Sequence, residues 1–184
     1  MTTMVSTDAE YETDRKVEDI DDACTVFEIN AMSNIAPQFH NKFNGQPRLW
    51  WKLETDVRGL VDDGRKFNIF AGSVFVEGQD VMKIGKRSEP RRNWKIGVPH
   101  GFFKIVIDVE RSEAVGFLFD HSIDVEEGCS IENSRSKWPS ACVVPIEKIE
   151  EATGLNFFGN LTQSKNDRLR SSSKESTWIN WLND

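Results

Sequence analysis

The run from Ser33 to Arg58 reads SNIAPQFHNKFNGQPRLWWKLETDVR, and its two halves follow different rules. Up to Gly45 it is polar, rich in Asn and turn-forming residues, and has no apolar period. From Leu49 the apolar residues take helical spacing. Leu49, Trp50, Leu53, Val57, Leu60 and Val61 share one face, and Gly64 stands where a C-terminal cap belongs. A polar loop that feeds straight into an amphipathic helix therefore organises the chain. Asn34 and Asn44 lie in the loop, and Glu54 and Arg58 lie one turn apart on the helix.

Working outward, Cys24 to Ala31 alternates apolar and polar residues as a short strand does, and residues 1–22 are acidic and aperiodic, an N-terminal arm. Downstream, β-branched and aromatic residues mark strands at Phe67 to Val76, Phe102 to Val109 and Ala114 to Phe119. Asp120 to Ser140 is a long polar connection. A second helix opens at Pro145, whose fixed φ suits the first helical position, and runs through Ile146, Ile149 and Ala152 to Gly154. Residues 162–176 are polar and Ser-rich and read as mobile, before a short apolar end at Trp178, Ile179, Trp181 and Leu182 that can dock back. The expected class is α+β, an antiparallel sheet with packed helices. The expected organisation is a domain over residues 23–161, with loop and helix at 33–64, between the arm (1–22) and a tail (162–184).

With 184 residues, 38% of them hydrophobic, the chain has the size and composition of one globular domain. No apolar run approaches the length needed to cross a bilayer, so no membrane partner is expected. Met1 to Lys16 contains no apolar core of a signal peptide. As written, the chain reads as cytoplasmic; a missing N-terminal piece would make it secreted or organellar. The net charge of −7 argues weakly against a polyanionic partner, yet base gathers at Lys83, Lys86, Arg87, Arg91 and Arg92, a local basic rim. Cys24, Cys129 and Cys142 lack zinc-ligand spacing. Cys129 and Cys142 flank a polar loop and would pair in an oxidising compartment; a reduced pair is the default for an unsecreted chain.

Asn amides and carboxylates are hard oxygen donors, of the type Mg²⁺ takes while keeping several waters. Each residue also has a plain explanation. Asn44-Gly45 is a turn dipeptide, Glu54 and Arg58 make an i,i+4 surface pair, Asn34 suits an Asx turn, and His40 is a loop histidine. Taken singly, none points to function.

Together they resemble a known signature. Ser33 to Gln38, Phe43-Asn44, Trp50 and Leu53-Glu54 are similar to the DNA/RNA non-specific endonuclease family, with its ββα-metal (His-Me finger) fold. Phe70 to Phe75, Val98-Pro99 with Phe102 to Val106, and Ile146 to Glu150 followed by Thr153-Gly154-Leu155 resemble further blocks of that family, in its order, over roughly residues 10–161. The resemblance implies that Asn44 is the one direct ligand of Mg²⁺ or another divalent cation. It implies that Glu54 holds a metal-bound water, that Asn34 orients the catalytic histidine or meets the scissile phosphate, and that Arg58 faces the transition-state charge. Asn44 is preferred to Asn41 because it follows Phe43 and precedes Gly45. The implied partners are DNA and RNA, held through their backbones without sequence preference.

One element of the family pattern is missing. The general base belongs to an Asp-Arg-Gly-His segment on the first motif strand, but here no histidine precedes His40 and no glycine precedes Gly45. The chain therefore reads as a ββα nuclease lacking its first motif strand, weakly active or inactive as given. The alternatives are a catalytically dead nucleic-acid-binding or regulatory relative, and a structural remnant.

Overall fold

The computed structural model describes residues 35–85, 95–121, 129 and 139–184. The expected strand at Cys24 to Ala31 and the acidic arm lie outside the described residues.

Eight-residue strands β1 (Phe67–Val74), β4 (Gly101–Asp108) and β5 (Glu113–Asp120) form the body of an antiparallel sheet. A two-residue strand, β6 (Val143–Val144), completes it in the order β1-β4-β5-β6. β1 runs against β4 from Phe67↔Asp108 to Val74↔Gly101, and β4 against β5 from Gly101↔Asp120 to Asp108↔Glu113. A separate two-stranded sheet pairs β2 (Lys83–Ile84) with β3 (Ile96–Gly97), the two strands that flank residues 86–94. The class is α+β, as the residue patterns imply.

Helices cover both faces of the larger sheet, which is why β4 and β5 read as nearly continuous apolar runs. Helix α1 (Leu49–Asp62) lays Leu49, Trp50, Leu53, Val57 and Leu60 against Phe102, Val106, Val115, Phe117 and Phe119. These sheet residues are alternate positions on each strand, so they share one face. The intervening positions, Phe103, Ile105 and Ala114, pack on the other face against Ile146 and Ile149 of α2 (Ile146–Thr153). There a Cβ on Gly116 would lie 2.8 Å and 2.9 Å from the Cδ1 atoms of Ile149 and Ile146, so any larger residue would make these two side chains of α2 shift.

The three long strands match expectation to within two residues at either end. Val61 departs from the expected apolar face and is exposed. Pro145 directly precedes α2 in an extended conformation, one position ahead of the expected one, and Gly154 caps the helix with φ +68°.

The largest difference lies in residues 162–176. They were expected to be mobile, but they build α3 (Gln163–Ser172) and lead into α4 (Glu175–Asn183). Helix α3 buries only Leu169, so its order comes from polar bonds to the rest of the fold. Arg170 bridges to Glu150 at 2.7 Å and Glu147 at 3.2 Å on α2. Ser172 Oγ accepts the Ala114 N–H at 2.7 Å. Just beyond the helix, Ser173 Oγ accepts the Gly116 N–H at 2.9 Å and donates to the Val144 carbonyl at 2.6 Å, linking β5 to β6. Helix α4 does dock back, through the fully buried Trp178 and Trp181, with Ile179 and Leu182 left exposed. Arg65, just past α1, fastens this end by donating to Asp108 at 2.6 Å and to the Trp181 carbonyl at 3.1 Å.

Candidate functional site

The loop before α1 closes as one π-helical turn, His40–Asn44, in which the Gly45 N–H donates to the His40 carbonyl at 2.6 Å. Phe43 drives this local fold. It is fully buried and meets Trp50, Phe102, Phe119 and His121 at ring-centroid distances of 5.1–5.6 Å. Asn44, the next residue, is thereby seated half-buried at the rim of the core, whereas Asn41 is exposed. Gly45 has φ −71°, so it does not adopt the left-handed turn its Asn-Gly context suggests. It is required for space instead: a Cβ there would lie 2.6 Å from the His40 carbonyl oxygen and 3.1 Å from His40 Nε2. Single-turn π segments recur at functional sites.

Glu54 sits on the second turn of α1, its side chain only 15% exposed. Its Oε1 accepts from Lys104 Nζ at 3.1 Å, across the gap between the helix and β4. The Lys104 ammonium also lies 4.4 Å from the centroid of the Trp50 ring. Burial pushes the Lys104 amine below its usual range, while the charge and hydrogen bond of Glu54 oppose that shift. Arg58, one turn further on, is exposed.

Sequence reasoning did not single out Lys104. Its signal was a lone cation within an otherwise apolar strand, Gly101-Phe-Phe-Lys-Ile-Val-Ile-Asp108.

Two histidines are structural. His121 is 1% exposed; its Nε2 accepts the Phe39 N–H at 3.0 Å and its Nδ1 faces the Pro99 carbonyl at 3.1 Å. That pattern is met by a neutral ring protonated on Nδ1. His100 Nδ1 accepts the Val76 N–H at 2.9 Å, and its Nε2 faces the Asp80 carbonyl at 3.2 Å. Neither ring has a nitrogen left to take a proton from water. His40 is the exposed imidazole, on the same turn as Asn44.

The structure thus brings Asn44, Glu54 and Arg58 onto one turn-and-helix unit. Lys83 stands exposed on the two-stranded sheet. Asn34, Lys86, Arg87, Arg91 and Arg92 lie outside the described residues. Among the described residues no three His, Cys, Asp or Glu side chains converge on a common point, and no helix is long and apolar enough to cross a membrane.

Comparison with individually characterised proteins gives no match. The sequence pattern of the DNA/RNA non-specific endonuclease family, in contrast, matches residues 27–164, well over half of the chain, and spans the turn, α1, the whole sheet and α2. This chain belongs to the DNA/RNA non-specific endonuclease family.

Proposed function

We propose that this domain binds a divalent cation, Mg²⁺ by preference, at Asn44 and acts on the phosphodiester backbones of DNA and RNA, and that the chain as given cleaves slowly or not at all. The observation that carries the reading is the seat of Asn44: its neighbour Phe43 is locked in the core, and the chain runs directly into the helix bearing Glu54 and Arg58. The donor set is one amide oxygen with a carboxylate set behind it. That suits a hard cation that keeps most of its water, and not zinc or calcium in an all-protein cage.

In this reading Asn44 would hold the ion through its side-chain oxygen, and Glu54 would help to orient the water that the ion keeps. Arg58, exposed on the same helix, meets the negative charge that builds on the phosphate. Asn34 would orient the catalytic histidine or contact the scissile phosphate. When bound, the cation supplies Lewis-acid stabilisation of the phosphate and the leaving 3′ oxygen. Lys83, with Lys86, Arg87, Arg91 and Arg92, adds sequence-independent backbone contacts.

Proton abstraction is the weak step. His100 and His121 are engaged at both ring nitrogens, the exposed His40 shares the turn of Asn44 and has no counterpart in the family pattern, and lack of a positioned general base typically removes a factor of about 10² to 10⁴ in rate. The same observation favours a second reading, a nucleic-acid-binding relative that no longer cleaves. The Cys129–Cys142 disulfide suits an oxidising compartment better than the cytosol.

Supercoiled plasmid and single-stranded RNA, each incubated with the purified 184-residue chain in Mg²⁺ or EDTA, provide the test. Slow nicking that EDTA and Asn44→Ala both suppress is the expected result. Rapid degradation of both substrates would overturn the claim of slow cleavage, and nicking untouched by Asn44→Ala would overturn the metal assignment. Salt-sensitive binding without any cleavage decides for the second reading.

A further inference from the structure

We infer that Lys104 is a positioning residue for the metal site: it fixes the Glu54 carboxylate in the orientation that Asn44 and its cation require. The inference rests on the metal site proposed above and extends it to a residue on a different element.

Glu54 has three rotatable side-chain bonds, and at a half-buried helix position those bonds would allow several orientations. The contact at 3.1 Å from Lys104 Nζ selects one of them. Lys104 is itself held fast. Its side chain is 5% exposed, its ammonium lies 4.4 Å from the Trp50 ring centroid, and its backbone is paired on both sides, with Ala71 of β1 and Phe117 of β5. The rigid sheet thus reaches across to the helix and sets the carboxylate.

Stability alone does not account for a lysine here. A buried ion pair is commonly no more stable than well-packed apolar residues of similar volume. Its neighbours on the same face of β4, Phe102 and Val106, are apolar core residues. The one ammonium on that stretch stands opposite the carboxylate that the cation site calls on, where it also offsets negative charge that would repel phosphate. Residues that orient groups around a metal commonly change its affinity by about 10- to 100-fold when removed.

A double-mutant cycle, read by Mn²⁺ binding to the 184-residue chain through electron paramagnetic resonance, tests the inference without relying on turnover. Lys104→Met and Glu54→Gln are each expected to weaken Mn²⁺ binding about 10- to 100-fold. In the Glu54→Gln background, Lys104→Met should add no more than about twofold, because its effect passes through Glu54. Wild-type affinity in a folded Lys104→Met protein would overturn the inference, and so would losses that multiply fully. Should Lys104→Met fail to fold, Lys104→Ala, which leaves room for water beside Glu54, takes its place in the cycle, and the same two outcomes overturn the inference. An Asn44→Ala protein that binds Mn²⁺ like the wild type would instead overturn the metal site itself, and the role of Lys104 with it.

Discussion

Phe39 donates its backbone N–H to Nε2 of His121, so a proton added at that nitrogen would meet a donor where the fold supplies no acceptor. Burial lowers the His121 pKa from its ordinary value, and the Pro99 carbonyl and the charge of Asp120 only partly oppose this. The folded ring therefore stays neutral at pH values where the unfolded ring, with its pKa of about 6.5, already takes a proton. Stability from this group is complete above about pH 6.5 and is lost as the pH falls from there through the folded pKa. Urea unfolding between pH 7.5 and 5 should show that decline, while ring chemical shifts should show folded His121 taking up its proton at a lower pH than the unfolded ring. A His121 that charges near pH 6.5 with no change in the urea midpoint would contradict this account. The same region shows how far single residues were legible. Asn44-Gly45 was readable as a motif, but Gly45 serves clearance from His40 and not a positive φ, which spacing along a chain does not encode. Lys104 was invisible as a partner of Glu54 because the two meet only when helix and sheet pack.

At the scale of elements, legibility followed the source of each element's order. Helix α1 and the long strands draw theirs from burial of apolar faces, and burial leaves a period in the sequence. Helix α3 leaves none. Its ten residues bury Leu169 alone, and its geometry is imposed by Arg170 on α2 and by Ser172 and Ser173 on the edge of β5. Those bonds span dozens of residues, so the segment looked like a polar tail. Ser173 tests this explanation. Its hydroxyl satisfies the Gly116 N–H and the Val144 carbonyl where β6 joins the sheet, and it is 6% exposed. Ser173→Ala leaves both groups without that partner and should cost about 1–3 kcal/mol. It should also accelerate amide exchange across α3 relative to α1 in hydrogen-exchange measurements. A variant with wild-type stability and unchanged exchange would mean that α3 is held by something other than its serine bonds.

For the whole molecule, the decisive long-range link is the bridge between Cys129 and Cys142, thirteen residues apart. The pairing was open from sequence, and an unsecreted chain argued for reduced thiols. The fold decides otherwise by bringing both ends of the connection to one place. The Asp120 N–H at the end of β5 donates to the Cys129 carbonyl at 3.0 Å, and Cys142, 1% exposed, sits in a short turn (Pro139–Cys142) packed beside α1 and α4. The bridge ties Cys129 to the same core that carries Phe43 and Trp50, so it contributes to the platform beneath the candidate metal site. A closed loop of this length contributes about 3 kcal/mol through the unfolded chain. In a protein of this size each kcal/mol moves the melting temperature by roughly 2–4 °C. Reduction with dithiothreitol, or the paired substitution Cys129→Ala and Cys142→Ala, should therefore lower Tm by a margin readily seen in calorimetry. The reduced protein should keep its far-ultraviolet circular dichroism below the transition, since neither the sheet nor α1 depends on the bridge for its hydrogen bonds. Equal melting temperatures with and without reductant would show that the packing around Cys142 alone secures this corner of the fold.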